Sequence, residues 1–488
     1  MLNMLLPVIT PLLLGAALPL FRFRTSRGRG IYAVGAAALT SLMVLCALVT
    51  RQGVSAAIFP MTEQLSIVLH IDGMTTVFAG LLAFLWPLAT LYGVGYMEHE
   101  QRRDSFFAFY LISYGVSLAV SMAANLFTMY VFYECLTLAT LPLVIHKKDP
   151  QSIHAGRKYL YYSIGGAALA FVALIISMNF GTLADFTLGG TMDPAKTAGS
   201  EDLIRFAFLA AFIGFGTKAA MFPMYPWLPA ASVAPTPVTA LLHAVAVGNT
   251  GVFAVGRMTY YTFGTELLRG SVVQDIALLL SAFSVLFGAV MALREQHLKR
   301  RLAYSTMSNL SYMLVGMAIM STTGLMGALI HMVFHGLIKI VLFFAAGAIL
   351  VQTGKEYLQD LRGFWRVMPM AVLLLLLPGI ALMGVPPFPG FLGKFTMMTA
   401  AAQLEGWRGL VAAGTLVTAG VLTAGYMLGA VVPMISRPLQ GEEALMSGGR
   451  KDAGWLMALP MILITLVMMA GGFLSGSVTS LLSGMIGH

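Results

Sequence analysis

The chain has 488 residues, of which 58% are hydrophobic and only 10% charged, against roughly 25% charged in ordinary soluble domains. This balance excludes a soluble enzyme. Its two cysteines, Cys46 and Cys135, both lie in apolar runs and cannot form a disulfide framework. The chain also lacks CxxC, HExxH and Cys/His clusters for a metal or iron–sulfur centre, and any GxxxxGK[ST] or strand-following GxGxxG for ATP or a dinucleotide. No catalytic centre and no bound cofactor or metal are expected in this chain, so any energy source lies in a partner or an ion gradient. The net charge of +9 does not point to nucleic acid, because the 29 Lys and Arg fall mostly in short segments between apolar runs.

Runs of about 20 apolar residues have the length that crosses a bilayer as helix. Fourteen occur in chain order, at 3–20, 31–50, 73–97, 105–123, 126–146, 159–180, 203–222, 236–262, 272–293, 302–320, 323–351, 367–398, 409–436 and 454–485. They predict an all-α polytopic membrane protein in a single membrane domain, 1–488. The first run is not a cleavable signal peptide, since Arg22, Arg24, Arg27 and Arg29 follow it and no positive charge precedes it. The longest polar segments, 181–202 and 437–453, read as loops.

Loops after odd-numbered spans hold Arg22, Arg24, Arg27, Arg29, Arg102, Arg103, Lys147, Lys148, Arg157, Lys158, Arg294, Lys299, Arg300, Arg301, Lys355, Arg362, Arg366, Arg437, Arg450 and Lys451. The other side holds only Arg51, Lys196, Arg205, Arg257, Arg269 and Arg408. The positive-inside rule therefore puts the first set in the cytoplasm and both termini outside, with lipid as the surrounding partner. A prokaryotic cytoplasmic (inner) membrane is the expected location.

Three lysines remain, Lys218, Lys339 and Lys394, all within spans. With Glu134, His243, His331 and His335 they make seven titratable groups at membrane depth. Insertion scales charge at least about 2.5 kcal/mol for Lys, Arg or Asp at mid-membrane, so such groups face the protein interior and mark function by default. A lone buried histidine is ordinarily a satisfied core residue. In LIHMVFHGLIKIVLFF, however, His331, His335 and Lys339 recur every four residues, which keeps them within about 80° of one helix face over about 12 Å.

Lys218 and Lys394 each lie beside a helix that cannot be continuous. GTK is followed by AAMFPMYPWLPAASVAPTP, with Pro223 and Pro226 among its prolines, and Lys394 ends MGVPPFPGFLGK, with Pro386 and Pro387. Broken helices at membrane depth are tolerated where backbone lines a cavity or is buried in protein, and occur at corresponding positions of transporter repeats. The bland alternative is a packing kink beside a snorkelling lysine. The two lysines lie five spans apart, and an odd offset reverses direction, so repeats related this way are inverted.

The stretches FYECLTLATLPLV, GTKAAMFPMYPWLPAASVAPTPVTALLHA, LKRRLAYSTMSNLSYM, HMVFHGLIKIVLFFAAGAI and GVPPFPGFLGKF, in this order over about 110–400, resemble a known family. It comprises the antiporter-like, proton-conducting subunits of respiratory complex I (NADH-quinone oxidoreductase), Mrp-type cation/proton antiporters and membrane-bound hydrogenases. The resemblance implies helices 1 to 3 over 1–104, two inverted five-helix repeats over 105–262 and 272–436 with helices 7 and 12 broken, and a fourteenth helix over 454–485. It also implies a proton path at half-membrane height. Glu134 is similar to the helix 5 glutamate, Lys218 to the lysine paired with it, and His243 to the helix 8 histidine of some members. Lys299 resembles the basic residue opening helix 10, His331, His335 and Lys339 the helix 11 relay, and Lys394 the terminal lysine of helix 12.

The chain departs from the family at Asn249, where many relatives carry a lysine, and at Tyr133, where Trp is usual. An amide does not exchange a proton near neutral pH, so the middle of the path must use His243 and water, or conduction is impaired. The absence of a long lateral helix after the fourteenth span implies an inner position in the complex.

Three functions remain open. The first is a proton-translocating subunit of a redox-driven complex, with further antiporter-like membrane subunits and with iron–sulfur, flavin or NiFe cofactors in peripheral redox partners. The second is a Mrp-type Na+/H+ antiporter subunit without redox chemistry. The third is a non-conducting scaffold, and a freestanding permease is disfavoured. Sodium prefers several oxygen ligands, and the only deep carboxylate is Glu134, which leans toward H+ over Na+.

Overall fold

The computed structural model describes residues 2–21, 23, 25–62, 65–182, 185–437 and 452–486. Most of the loop expected at 437–453 lies outside them, as do Arg22, Arg24, Arg450 and Lys451 of the charge count. The architecture is a helical membrane bundle. Its first six helices are α1 (Leu2–Ala17), α2 (Ser26–Thr50), α3 (Gly73–Tyr96), α4 (Arg103–Ser121), α5 (Leu126–Val144) and α6 (Pro150–Phe180). Polar residues start these helices where the sequence leaves an apolar run. Asp72 accepts from Thr75 N at 2.8 Å, Asn125 from Thr128 N at 2.8 Å, and Asp149, followed by Pro150, from Ser152 N at 2.6 Å.

The remaining long elements are α7 (Glu201–Gly216), α8 (Thr236–Phe263), α9 (Val272–Arg294), α10 (Leu298–Ala318), α11 (Thr322–Thr353), α12 (Pro369–Met383), α13 (Gly390–Ala402), α14 (Trp407–Ile435), α15 (Trp455–Phe473) and α16 (Ser475–Ile486). Among the described residues, eleven helices are long and apolar enough to cross a membrane by length and composition. The other three expected spans fall on α7, on the polar-rich α10, and on the pair α12 and α13. The expected span at 454–485 is α15 followed by α16, parted at Leu474.

Two features were not anticipated. Segments Ser55–Pro60 (β1) and Ser66–His70 (β2) form an antiparallel hairpin between α2 and α3, pairing Ser55 with His70 and slipping register between Ala57 and Phe59. It sits against the α4–α5 turn, where His70 N donates to Met122 O at 2.7 Å. Helix α8 also contains two wider π-helical stretches, Leu241–Val245 and Arg257–Phe263.

Helices α8, α10 and α11 are the most deeply buried, and α11 packs against α3, α8, α10, α12, α13 and α15. The large exposed apolar side chains instead line α2, α6, α9, α14 and α15, among them Leu42, Ile164, Leu279, Leu410 and Leu466. Polar groups on α8 and α11 thus face protein and the apolar rim faces lipid or neighbouring subunits, the distribution a membrane solvent requires.

Candidate functional site

Helix α7 stops at Gly216, and the chain then turns through 217–226 before a single helical turn at Trp227–Ala230. Trp227 Nε1 closes the break by donating to Thr217 O at 2.8 Å. Lys218 therefore projects from a helix end toward α5. Its Nζ donates to Tyr133 O, lies 3.4 Å from the centre of the Tyr133 ring, and stands 4.0 Å from Glu134 Oε1. The pair is asymmetric. The Lys218 side chain is 1% exposed and that of Glu134 27%, while Glu134 Oε1 has no hydrogen-bond partner. Gly251 of α8 allows the close approach, since a Cβ there would meet Ala219 N at 2.4 Å and Lys218 C at 2.8 Å.

His243 occupies the first π-helical stretch of α8. Its Nδ1 is 2.8 Å from Thr239 O and its Nε2 3.1 Å from Leu228 O on the turn that follows the α7 break. A neutral imidazole can donate to only one of these carbonyls, whereas the imidazolium donates to both. The ring also packs at 5.0 Å on Phe343 of α11, which links the two halves of the molecule. Asn249 turns its amide back to Ala244 O at 2.9 Å and leaves Oδ1 buried without a partner. Lys299 opens α10 with its Nζ 3.5 Å from Ala234 O.

Among the described residues the α11 groups do not bond to one another; Lys339 and His331 fasten to α10 instead. Lys339 Nζ donates to Leu302 O at 3.1 Å and to Ser305 Oγ. One turn along α10, Asn309 donates to Ser305 O at 2.8 Å, lies 3.4 Å from Tyr426 Oη, and presents Oδ1 to His331 Nε2 at 3.2 Å. The His331 and His335 rings are 6.2 Å apart, and both nitrogens of His335 are buried with no partner among the described residues. Buried polar groups of this kind are ordinarily satisfied by water.

Tyr312, on the same α10 face as Ser305 and Asn309, stands 5.9 Å from His331 and 5.0 Å from Lys394 Nζ. Lys394 lies on α13, five positions into the helix after the second break, and donates to Leu382 O at 2.6 Å and Met383 O at 3.4 Å, the last carbonyls of α12. Lys218 by contrast lies at the start of the first break, two residues past the end of α7. The two lysines are not equivalent positions of the two broken helices, although each meets one.

Ser305, Asn309 and Tyr312 were not among the groups expected from the sequence. The signal was present, because LAYSTMSNLSYM is unusually polar for a span. A buried ion pair was also missed. Arg257, counted with the external charges, is buried inside α8, where Nη1 and Nη2 bond Asp72 Oδ2 and Oδ1 at 2.5 and 2.6 Å and Nη2 bonds Thr75 Oγ1 at 3.0 Å. Burial alone would raise the Asp72 carboxyl, and the Arg257 guanidinium overrides it, holding that carboxyl well below the usual carboxylate range.

A multi-pass bundle with two broken helices, each meeting a lysine, and a file of buried exchangeable groups between them is the architecture of an ion-translocating membrane protein. The chain belongs to the family described as NADH:quinone oxidoreductase/Mrp antiporter, transmembrane, whose profile matches residues 123–423. It is 30% identical over 351 residues to NADH-quinone oxidoreductase subunit N of Desulforudis audaxviator, across 71% of this chain and 68% of that one. It is 26% identical over 444 residues to Na(+)/H(+) antiporter subunit A1 of Staphylococcus aureus, across 86% of this chain and 54% of that protein. Among solved structures it is similar in fold to a chain of the membrane-bound sulfane sulfur reductase, an archaeal respiratory membrane complex. That likeness has a TM-score of 0.84 at 21% identity and covers 98% of this chain and 96% of the other.

Proposed function

We propose that the chain is the proton-translocating, antiporter-like subunit of a redox-driven membrane complex, carrying H+ along an axis from Glu134 and Lys218 through His243 to Lys339, His331 and Lys394, with His335 and water completing it. The observation that carries this reading is the α10–α11–α13 file, in which Lys339, Ser305, Asn309, His331, Tyr312 and Lys394 follow one another through the protein interior. The family membership and the likeness to a respiratory complex support it.

On this reading the partners are other membrane subunits, further antiporter-like ones among them, and peripheral redox subunits that hold the iron–sulfur, flavin or NiFe groups. The chain sits in a prokaryotic cytoplasmic membrane with both termini external. Residues 105–262 and 272–436 are the two inverted five-helix units, a division supported by the break that each contains. Asn249 takes no proton, and His243 with water carries the step past it.

The partly exposed Glu134 supplies the coupling. While it pairs with Lys218 it favours the charged lysine, and when it turns toward a neighbouring subunit the lysine proton is released along the axis. Moving one charge through about 150 mV takes roughly 3.5 kcal/mol, comparable to disrupting one buried pair. Replacing Lys218 with Met in the assembled complex should abolish proton pumping in proteoliposomes and leave electron transfer partly intact. Full pumping in that variant would exclude the proposal.

The similarity to the Staphylococcus aureus antiporter subunit favours a second reading, Na+/H+ exchange without redox chemistry. A sodium-dependent pH gradient formed without any electron donor would select it.

A further inference from the structure

A crevice of about 270 Å³ opens on the side of the bundle rich in Lys and Arg, where three loops meet at the start of α10. The titratable groups facing it are Lys147 and Asp149 before α6, His297, Lys299 and Arg300 at the α10 start, and Glu356 and Tyr357 after α11. Glu100 and Glu295 lie just outside, the latter paired with Arg300 at 3.1 Å.

Most of these groups are committed. Asp149 caps α6 through Ser152 N, and Arg300 is held by Glu295. His297 and Glu356 are the exception. Glu356 Oε2 lies 3.2 Å from His297 Nε2, while His297 Nδ1 is buried with no hydrogen-bond partner among the described residues. With Nε2–H donating to the carboxylate, Nδ1 presents a lone pair, the state in which an imidazole accepts a proton. The hydrogen bond from His297 holds the Glu356 carboxyl below its ordinary value, burial opposes this, and the nearby Lys299 charge adds to the lowering.

The crevice also has an inner end. Lys299 Nζ shares Ala234 O with the Thr239 hydroxyl, which donates to it at 3.2 Å, and Thr239 O meets His243 Nδ1 at 2.8 Å. Three exchangeable groups, Lys299, Thr239 and His243, are thus gathered around one turn of backbone between the crevice and the axis. Ser232 Oγ, also lining the crevice, is buried and unpartnered.

We infer that this crevice is the mouth through which the axis draws its protons, with His297 as the carrier that takes a proton from bulk water and Glu356 as the positioning residue that holds its ring. The inference rests on the proton-translocating reading above. The transfer balances simply. A proton from hydronium or a buffer acid passes along water in the crevice to His297 Nδ1 as this partly exposed side chain moves, and the imidazolium returns it through water to a neutral Lys299 amine, from which it moves by way of Thr239 and water to His243.

The test uses the intact complex in proteoliposomes, with initial pumping rates measured as the pH on the mouth side is varied. His297→Gln should lower the rate roughly tenfold at about pH 8, with recovery near pH 6 or on adding imidazole to the mouth-side buffer. Glu356→Gln should give a smaller loss with the same pH dependence. Lys218→Met should be inactive at every pH. A His297→Gln complex that pumps like the parent at pH 8 while Lys218→Met is dead would overturn this inference and leave the proton-translocating reading intact. Pumping in Lys218→Met would fell that reading itself. If His297→Gln does not assemble, Glu356→Gln decides, and an unchanged rate at pH 8 overturns the inference.

Discussion

The Asp72–Arg257 pair offers a sharp test of the packing argument, because one substitution separates its charge from its capping role. Asn at position 72 keeps a side-chain oxygen for Thr75 N, so the start of α3 is preserved. It removes the negative charge and turns an NH2 toward a guanidinium that already donates at 2.5 and 2.6 Å. Arg257 is 1% exposed and ringed by Phe186, Phe253 and Tyr261, at 5.2, 5.1 and 4.8 Å, so its charge has nowhere to go. An uncompensated buried charge costs about 3 to 5 kcal/mol, two decades or more in the unfolding equilibrium. Unfolding of the purified complex by SDS in mixed micelles, followed by tryptophan fluorescence, should show that loss for Asp72→Asn. Because the Asp72 carboxyl is depressed in the folded state, its contribution is fully present above the unfolded value near pH 4 and lost only in stronger acid, so the loss should be equal at pH 6 and 8. The paired change Asp72→Leu with Arg257→Met should cost clearly less than the sum of the single changes. A loss below about 1 kcal/mol for Asp72→Asn would refute the view that this pair locks α3 to α8.

Asn309→Leu strips His331 Nε2 and Tyr426 Oη of a partner and should cost about 1 to 3 kcal/mol while sharply lowering protons pumped per electron transferred; an unchanged ratio removes Asn309 from the path. Gly393→Ala would drive a methyl to 2.6–2.7 Å from the His331 Cβ, Cα and N, so α13 must back away from α11, at a cost of about 1 to 3 kcal/mol and most of the transport per assembled complex. A fully active Gly393→Ala complex would show that this close approach is not needed. Asp149→Ala should lower stability by about 1 kcal/mol through loss of the α6 cap without altering the pumping ratio.

Much of this was legible in the residues. Apolar runs of membrane length marked the helices, prolines 223, 226, 386 and 387 marked the breaks, and ionisable side chains inside apolar runs marked the buried groups of the proposed axis. What escaped did so for identifiable reasons. The α11 groups share a face as their spacing requires, yet spacing on one helix says nothing of partners, and these lie on α10. Ser305, Asn309 and Tyr312 carry no charge and so do not violate the apolar rule strongly enough to stand out. Asp72 and Arg257 sit at span ends, where a charge ordinarily reads as loop, and only tertiary packing brings residues 185 apart in sequence together. The π-helical stretches of α8 have no local sequence signature, and the hairpin strands are five or six residues long in a segment without clear alternation.

The breaks also explain how lysines persist here with so few carboxylates. A helix that ends inside the protein leaves its last carbonyls unpaired and concentrates the negative end of its dipole there. Lys394 takes up two such carbonyls, Leu382 O and Met383 O, so the break that disrupts α12 also solvates the cation beside it. Lys339 has no helix end beside it and instead takes Leu302 O and the Ser305 hydroxyl from the flank of the continuous α10. Carbonyl dipoles favour the charged amine without binding it as a full counter-ion would, so a proton held there can still be passed on. Among the described residues Glu134 is the one carboxylate paired to a lysine of the proposed axis, and it is also the partly exposed group, with one oxygen unbonded. On the proposed reading, fixed dipoles along the file and a partly exposed charge at its edge form a division suited to a partner subunit acting on Glu134 while the interior remains in place.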